Sequence, residues 1–280
     1  MNNVARNQKI AFTCLSVLGL LTVCILIYII GYIVSQGLHM ISWEFLTTKP
    51  RKMGSEGGIY PAIVGTVYLV LTTMIIATPI GVGAAIYLNE YTSRGKITSM
   101  IRFATEALAG IPSIVFGLFG FAFFVILLKP VTGGWSILSA SLTGVTMVLP
   151  TIVRTAEEAL KAVPDSLREG SLALGTTKWQ TIKGLILPTA MPGIITGIIL
   201  SIGRVVGETA AFLLTLGGTI LIPQSLFDGS RTLSLHLYMV AMETGAMDVA
   251  FGTAAVLIVL ILVINITASW FFRRLVKRFS

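Results

Sequence analysis

Six apolar stretches govern what this chain can fold into. They cover roughly residues 10–34, 60–88, 105–128, 135–153, 189–216 and 249–272. A helix needs about 20 residues to cross a hydrocarbon core of about 30 Å. Helix is also the form a lone segment takes there, because it satisfies its backbone N–H and C=O groups internally. Only 11% of the residues are charged and 55% are apolar, against about 25% charged in a soluble domain. The expectation is an all-α membrane protein with six transmembrane helices.

The charges give an orientation. Of the 20 Lys and Arg, fourteen fall in segments on one side of the spans and five in loops on the other; Arg204 lies inside a span. Basic residues favour the cytoplasmic side, so both termini are expected there. This clustering also explains the net charge of +8 without a nucleic-acid partner. The first apolar run is too long for a signal-peptide core and lacks a small-x-small cleavage pattern, so it is read as a retained helix. Cys14 and Cys24 sit in it about 15 Å apart along a helix axis, too far for a disulfide or a shared metal.

Individual spans carry further signals. Thr78-Pro79 and Gly81-x-Gly83 are expected to interrupt the second, since they leave backbone groups that protein or water must satisfy. The fourth holds Ser136, Ser139, Ser141, Thr143 and Thr146, which suits a helix inside the bundle. His39 and His236 stand alone in outer loops and are read as surface residues. There is no G-x-x-x-x-G-K-[ST] string for ATP. No cluster of His, Cys or carboxylates marks a catalytic or metal site, which argues against a membrane enzyme.

Between the fourth and fifth spans lies a polar segment, 154–184. Ser166 and Glu169 have the spacing of a capping box. They predict a helix over 167–174 that stops at Gly175, a usual cap residue. A second short helix over 176–181 would expose Lys178 and Trp179. A short helix across the end of a bundle can seat in a groove on a partner.

The fifth span carries Arg204 and Glu208. On one continuous helix Gly193, Gly197, Ser201, Arg204, Glu208, Ala211 and Thr215 fall on one narrow face. Ile195, Ile198, Ile199, Ile202, Val206 and Leu213 lie opposite. An arginine at mid-membrane costs about 2.5–3.5 kcal/mol on the insertion scale. Glu208, four residues on, could pair with it. Two compatible readings follow. The pair holds helices together, or the guanidinium fork receives a tetrahedral oxyanion on a pathway that Ser201 and Thr215 also line.

Glu169-Gly170-Ser171, then Gly175, then Leu185-x-Leu187-Pro188 resembles the EAA loop of ABC-importer permeases. Gly203-Arg204-Val205-Val206-Gly207-Glu208-Thr209-Ala210 is similar to a segment of Pst-type phosphate permeases. The strings at 58–66 and 79–87 look like the PstA branch of that family. The resemblance implies a type I importer permease with a MetI-like core. It divides the chain into an N-terminal helix and outer loop (1–57), a five-helix core (58–273) with its coupling loop (154–188), and a basic tail (274–280). It further implies a non-catalytic subunit in a bacterial cytoplasmic membrane, paired with a PstC-type chain. Two PstB-type ATPases would carry ATP and Mg, and a PstS-type protein would deliver phosphate. Glu169, Gly175, Thr176, Lys178 and Trp179 would meet the ATPase. The family's phosphate-linked arginine corresponds to Arg204. Sulfate or molybdate is the alternative substrate.

Overall fold

The computed structural model describes every residue except Met1, Ser93, Arg94 and Ser280. Arg94 and the side chains of Arg6, Arg273, Lys277 and Arg278, used above for orientation, lie outside the described residues. Five helices are long and apolar enough to cross a membrane, or six if one bent pair counts as a span.

Helix α1 (Asn2–Gly37) is exposed over residues 7–32. It meets the rest of the chain near its C-terminal end, where Tyr32 stands edge-on to Phe251 at 6.0 Å. Gly37 lies against the Phe251 carbonyl, where a Cβ would collide. A short helix, α2 (Trp43–Thr47), and a hairpin of β1 (Pro50–Arg51) with β2 (Glu56–Gly57) form the following loop.

Helix α3 (Tyr60–Ile86) runs unbroken through Pro79, contrary to the expected interruption. Its glycine serves packing instead. Gly81 faces α7 so closely that a Cβ would lie 2.6 Å from Ile152 Cγ2. One π-helical turn, Tyr87–Tyr91, extends α3.

The third span is not a straight rod. Helices α4 (Lys96–Ala109) and α5 (Ser113–Gly120), the latter prolonged by a π-helical stretch Phe121–Leu127, meet at 103°. The bend falls at Gly110-Ile111-Pro112. Pro112 is extended (φ −58, ψ 140), and proline disfavours helix at the residue before it.

After α6 (Lys129–Thr132) and a left-handed Gly133, α7 (Ile137–Lys161) runs down the middle of the bundle. The expectation from its hydroxyls holds, for Ser139, Ser141 and Thr143 are fully buried. Thr143 donates to the Ser139 carbonyl at 2.8 Å, and Ser139 to the Gly134 carbonyl at 2.6 Å. Such pairing removes most of the cost of burying polar groups in an apolar bundle.

Next come α8 (Asp165–Ala173), α9 (Lys178–Thr181), a π-helical turn Ile182–Ile186, and α10 (Leu187–Gly207). Helices α11 (Ala210–Thr215), α12 (Leu233–Met239) and α13 (Met247–Phe279) complete the chain. The main core joins Leu69 and Ala77 of α3, Met147 and Ile152 of α7, Ile194 and Val205 of α10, and Phe212 of α11. The isoleucine face of α10 therefore meets protein. A smaller core under the outer loops gathers Phe45, Ile59, Leu233 and Val249.

The small face of α10 is likewise a packing surface along part of its length. A Cβ on Gly197 would collide with Thr155 Oγ1, and one on Gly193 would lie 2.6 Å from Ala159 Cβ. Gly203 and Gly207 have open space instead. Gly197→Ala is expected to lower stability by about 1–3 kcal/mol through overpacking. Gly203→Ala should leave it unchanged or higher. Thermal unfolding of the two detergent-solubilised variants makes the comparison, and equal Tm values would remove this account of α10–α7 packing.

Candidate substrate pathway and coupling surface

Helix α10 stops at Gly207. Glu208 is extended (φ −77, ψ 133), and the helix resumes only at Ala210. The single wheel drawn over 193–215 therefore breaks before Glu208. The glutamate turns to its own local duty: its Oε1 accepts from Ala211 N at 3.3 Å, capping α11. Its carbonyl accepts from Ser234 Oγ of α12 at 2.7 Å. No Arg204 nitrogen lies within 4.0 Å of the Glu208 carboxylate, so the expected i,i+4 pair is not formed.

Arg204 is half-buried and, among the described residues, carries no hydrogen bond or ion pair. It occupies the last turn of α10, one turn before the break, flanked by the open sides of Gly203 and Gly207. A free guanidinium at this place can receive an anion without first losing a carboxylate.

Ser201 and Thr215 are placed differently from the expectation. Both are fully buried. Ser201 Oγ donates to the Gly197 carbonyl at 2.9 Å and Thr215 Oγ1 to the Ala211 carbonyl at 3.0 Å. These hydroxyls are satisfied within their own helices and do not line an open surface. The Thr215 carbonyl accepts from Ser136 N at 3.3 Å, joining α11 to the start of α7.

The polar segment folds much as its spacing predicts, with one exchange. Helix α8 starts after Pro164 without a side-chain cap, so the Ser166–Glu169 box is not formed. The capping box belongs to α9, where Thr177 and Gln180 satisfy each other's backbone N–H. Gly175 takes a left-handed φ of +84, ending α8 where expected. Glu169, Leu172, Leu174 and Trp179 are exposed, and Leu174 is 87% accessible. Thr176 faces inward. Its hydroxyl lies 2.8 Å from Ser171 Oγ and 2.9 Å from Thr181 Oγ1, a knot that fastens α8 to α9. The Lys178 ammonium sits 5.1 Å above the Tyr91 ring.

Two charged clusters escaped sequence reasoning. Glu157 is buried between Arg102 at 2.6 Å and Lys161 at 2.8 Å. His236, read as a surface residue, is 1% exposed in α12. Arg231 reaches its Nδ1 at 3.3 Å and donates from Nε to the Gly218 carbonyl at 2.9 Å. A guanidinium only donates, so Nδ1 is the acceptor and the proton sits on Nε2. Burial, helped by the Arg231 charge, pushes His236 down to about 4. As pH falls below 6.5 the unfolded chain takes up the proton first, so the neutral histidine's contribution is whole above 6.5 and lost towards 4. The expected loss is about 3 kcal/mol. Thermal unfolding of the solubilised protein between pH 7 and 4 tests this. His236→Gln should flatten the profile, and an unchanged slope would exclude His236 as its source.

A profile for the inner membrane component of binding-protein-dependent transport systems matches residues 77–280. The chain belongs to that family. A probable ABC transporter permease protein, YqgI of Bacillus subtilis (strain 168), is 36% identical over 98% of this chain and 97% of its own. The phosphate transport system permease protein PstA of Mycobacterium leprae (strain TN) is 36% identical over 88% of this chain and 82% of its own. One chain of a bacterial alginate ABC transporter superposes with a TM-score of 0.68 at 17% identity, covering 96% of this permease and 98% of that chain. The fold is that of type I ABC importer permeases, as the coupling-loop spacing implied. The permease is a multi-pass integral membrane component.

Proposed function

We propose that this permease is the PstA-type subunit of an ATP-driven importer that moves inorganic phosphate across the bacterial cytoplasmic membrane by alternating access. The observation that carries the reading is Arg204: a permanent cation, unpaired among the described residues, one turn from the break at Glu208, in a chain whose relatives include phosphate permeases. A guanidinium offers parallel N–H donors that match a tetrahedral oxyanion. The nearby Glu208 charge keeps binding weak enough for release. Both termini and the α8–α9 segment face the cytoplasm, as the basic residues direct. A PstC-type chain completes the pathway. Two PstB-type subunits bind ATP and Mg and dock on the exposed face of α8 around Glu169, and a PstS-type protein supplies phosphate from outside.

The test is uptake of labelled phosphate and labelled sulfate in cells lacking this chain and complemented with it. Restored phosphate uptake supports the reading. Restored sulfate uptake alone keeps the importer and overturns its substrate.

A further inference from the structure

We propose that Arg168 joins the coupling segment, the end of α7 and the π-helical end of α3 into one mechanical unit, through which movement of α8 reaches the spanning helices. The proposal rests on the coupling reading of α8 given above, and not on the identity of the transported anion.

Arg168 lies immediately before Glu169, on the side of α8 turned towards the bundle. Its side chain is 16% exposed. Its Nη1 donates to the Val163 carbonyl at 2.6 Å and to Asp165 Oδ1 at 2.9 Å. Its Nη2 donates to the Leu160 carbonyl at 2.7 Å and to Glu90 Oε1 at 3.2 Å. One guanidinium therefore holds a carbonyl in the last turn of α7, one in the link that follows it, the first turn of α8 and a carboxylate at the end of α3. Asn89 Nδ2 donates to the same Glu90 oxygen at 2.7 Å, and the Glu90 side chain is 6% exposed. A second tie leads to the next residue, where Lys178 of α9 covers the Tyr91 ring.

Both ties land on the π-helical turn Tyr87–Tyr91. A π-turn carries one residue more than the α-helical repeat and often sits at functional positions. Here it brings Glu90 and Tyr91 to the α8–α9 segment. An exposed ion pair contributes little to stability or stiffness. This one is shielded and shares its arginine with backbone acceptors, so parting α8 from α3 would strand charged groups. A push on the exposed face of α8 is then passed to α3 and α7 and not dissipated in the loop. Arg168 and Glu90 are positioning residues.

The test uses the complete transporter, with partner permease, ATPase subunits and binding protein, reconstituted in vesicles. Glu90→Ala, Glu90→Gln, Arg168→Lys and the double variant Glu90→Ala/Arg168→Lys are compared. Retention of the ATPase subunit, ATP hydrolysis, and uptake of labelled phosphate and sulfate are measured together. Glu90→Ala is expected to retain and run the ATPase while uptake per ATP falls at least about tenfold. The double variant should be no worse than the worse single, as expected for residues acting through one contact. Wild-type uptake per ATP in both Glu90 variants would overturn the proposal. So would loss of the ATPase subunit in proportion to uptake, the mark of a merely structural contact. If the wild type accumulates sulfate and not phosphate, the substrate reading fails, and the same ratio is taken with sulfate.

Discussion

Arg204→Ala is expected to reduce phosphate uptake by about 30-fold or more while leaving the amount of permease in the membrane unchanged. Both halves follow from the side chain's surroundings. Among the described residues Arg204 has no carboxylate partner, so removing it strands no opposite charge. Breaking a buried pair would instead cost about 3–5 kcal/mol and deplete the folded chain. Losing a desolvated charge contact to a bound anion costs about 2–5 kcal/mol, and each 1.4 kcal/mol is tenfold. Arg204→Lys should fall between, because an ammonium keeps the charge but lacks the planar fork. Uptake of labelled phosphate, normalised to permease in the membrane, decides the matter. Wild-type uptake in Arg204→Ala would make the arginine a bystander. Loss of the protein itself would make it structural.

Glu169→Lys is expected to lose the ATPase subunit in a pull-down, with at least about tenfold less retained. Glu169 is exposed on α8 and, among the described residues, forms no hydrogen bond or ion pair. Reversing its charge therefore disturbs little within the chain and acts on whatever the helix meets. Leu174 is the apolar counterpart, 87% exposed at the end of the same helix. A large aliphatic side chain held out by a rigid turn is suited to fill a pocket on a partner. Leu174→Asp should reproduce the loss. Full retention by both variants would move the ATPase interface elsewhere.

The residues most legible in the sequence were those whose signal is local. Apolar length located the spans, the hydroxyls of α7 announced a buried helix, and Gly175 marked the end of α8. The failures at the third span and at Glu208 share one cause, the assumption that an apolar run is one straight helix. Gly110-Ile111-Pro112 is a visible breaker, and the composition changes across it, from Arg102 and Glu106 in α4 to the apolar run of α5; reading 105–128 as one span passed over the 103° bend. The reverse happened at Pro79, where a breaker sits inside an intact helix that packs along α7. At Glu208 the helical wheel placed the carboxylate beside Arg204. The backbone turns at that residue, and Gly207 was the available warning. His236 and Glu157 were out of reach, since their burial depends on which loop or helix folds over them.

Among the described residues, helix α1 touches the bundle near its C-terminal end and shows its sides to the surroundings over residues 7–32. Within this chain such a helix needs apolar sides more than it needs a shape that fits a neighbour. A saturation-mutagenesis map of this chain would then show a long permissive tract in α1, where one apolar residue serves as well as another. The tolerance should end abruptly at Gly37, where the backbone of α13 admits no side chain. Over residues 7–32 the sides of α1 are open, within this chain, to lipid or to a second chain.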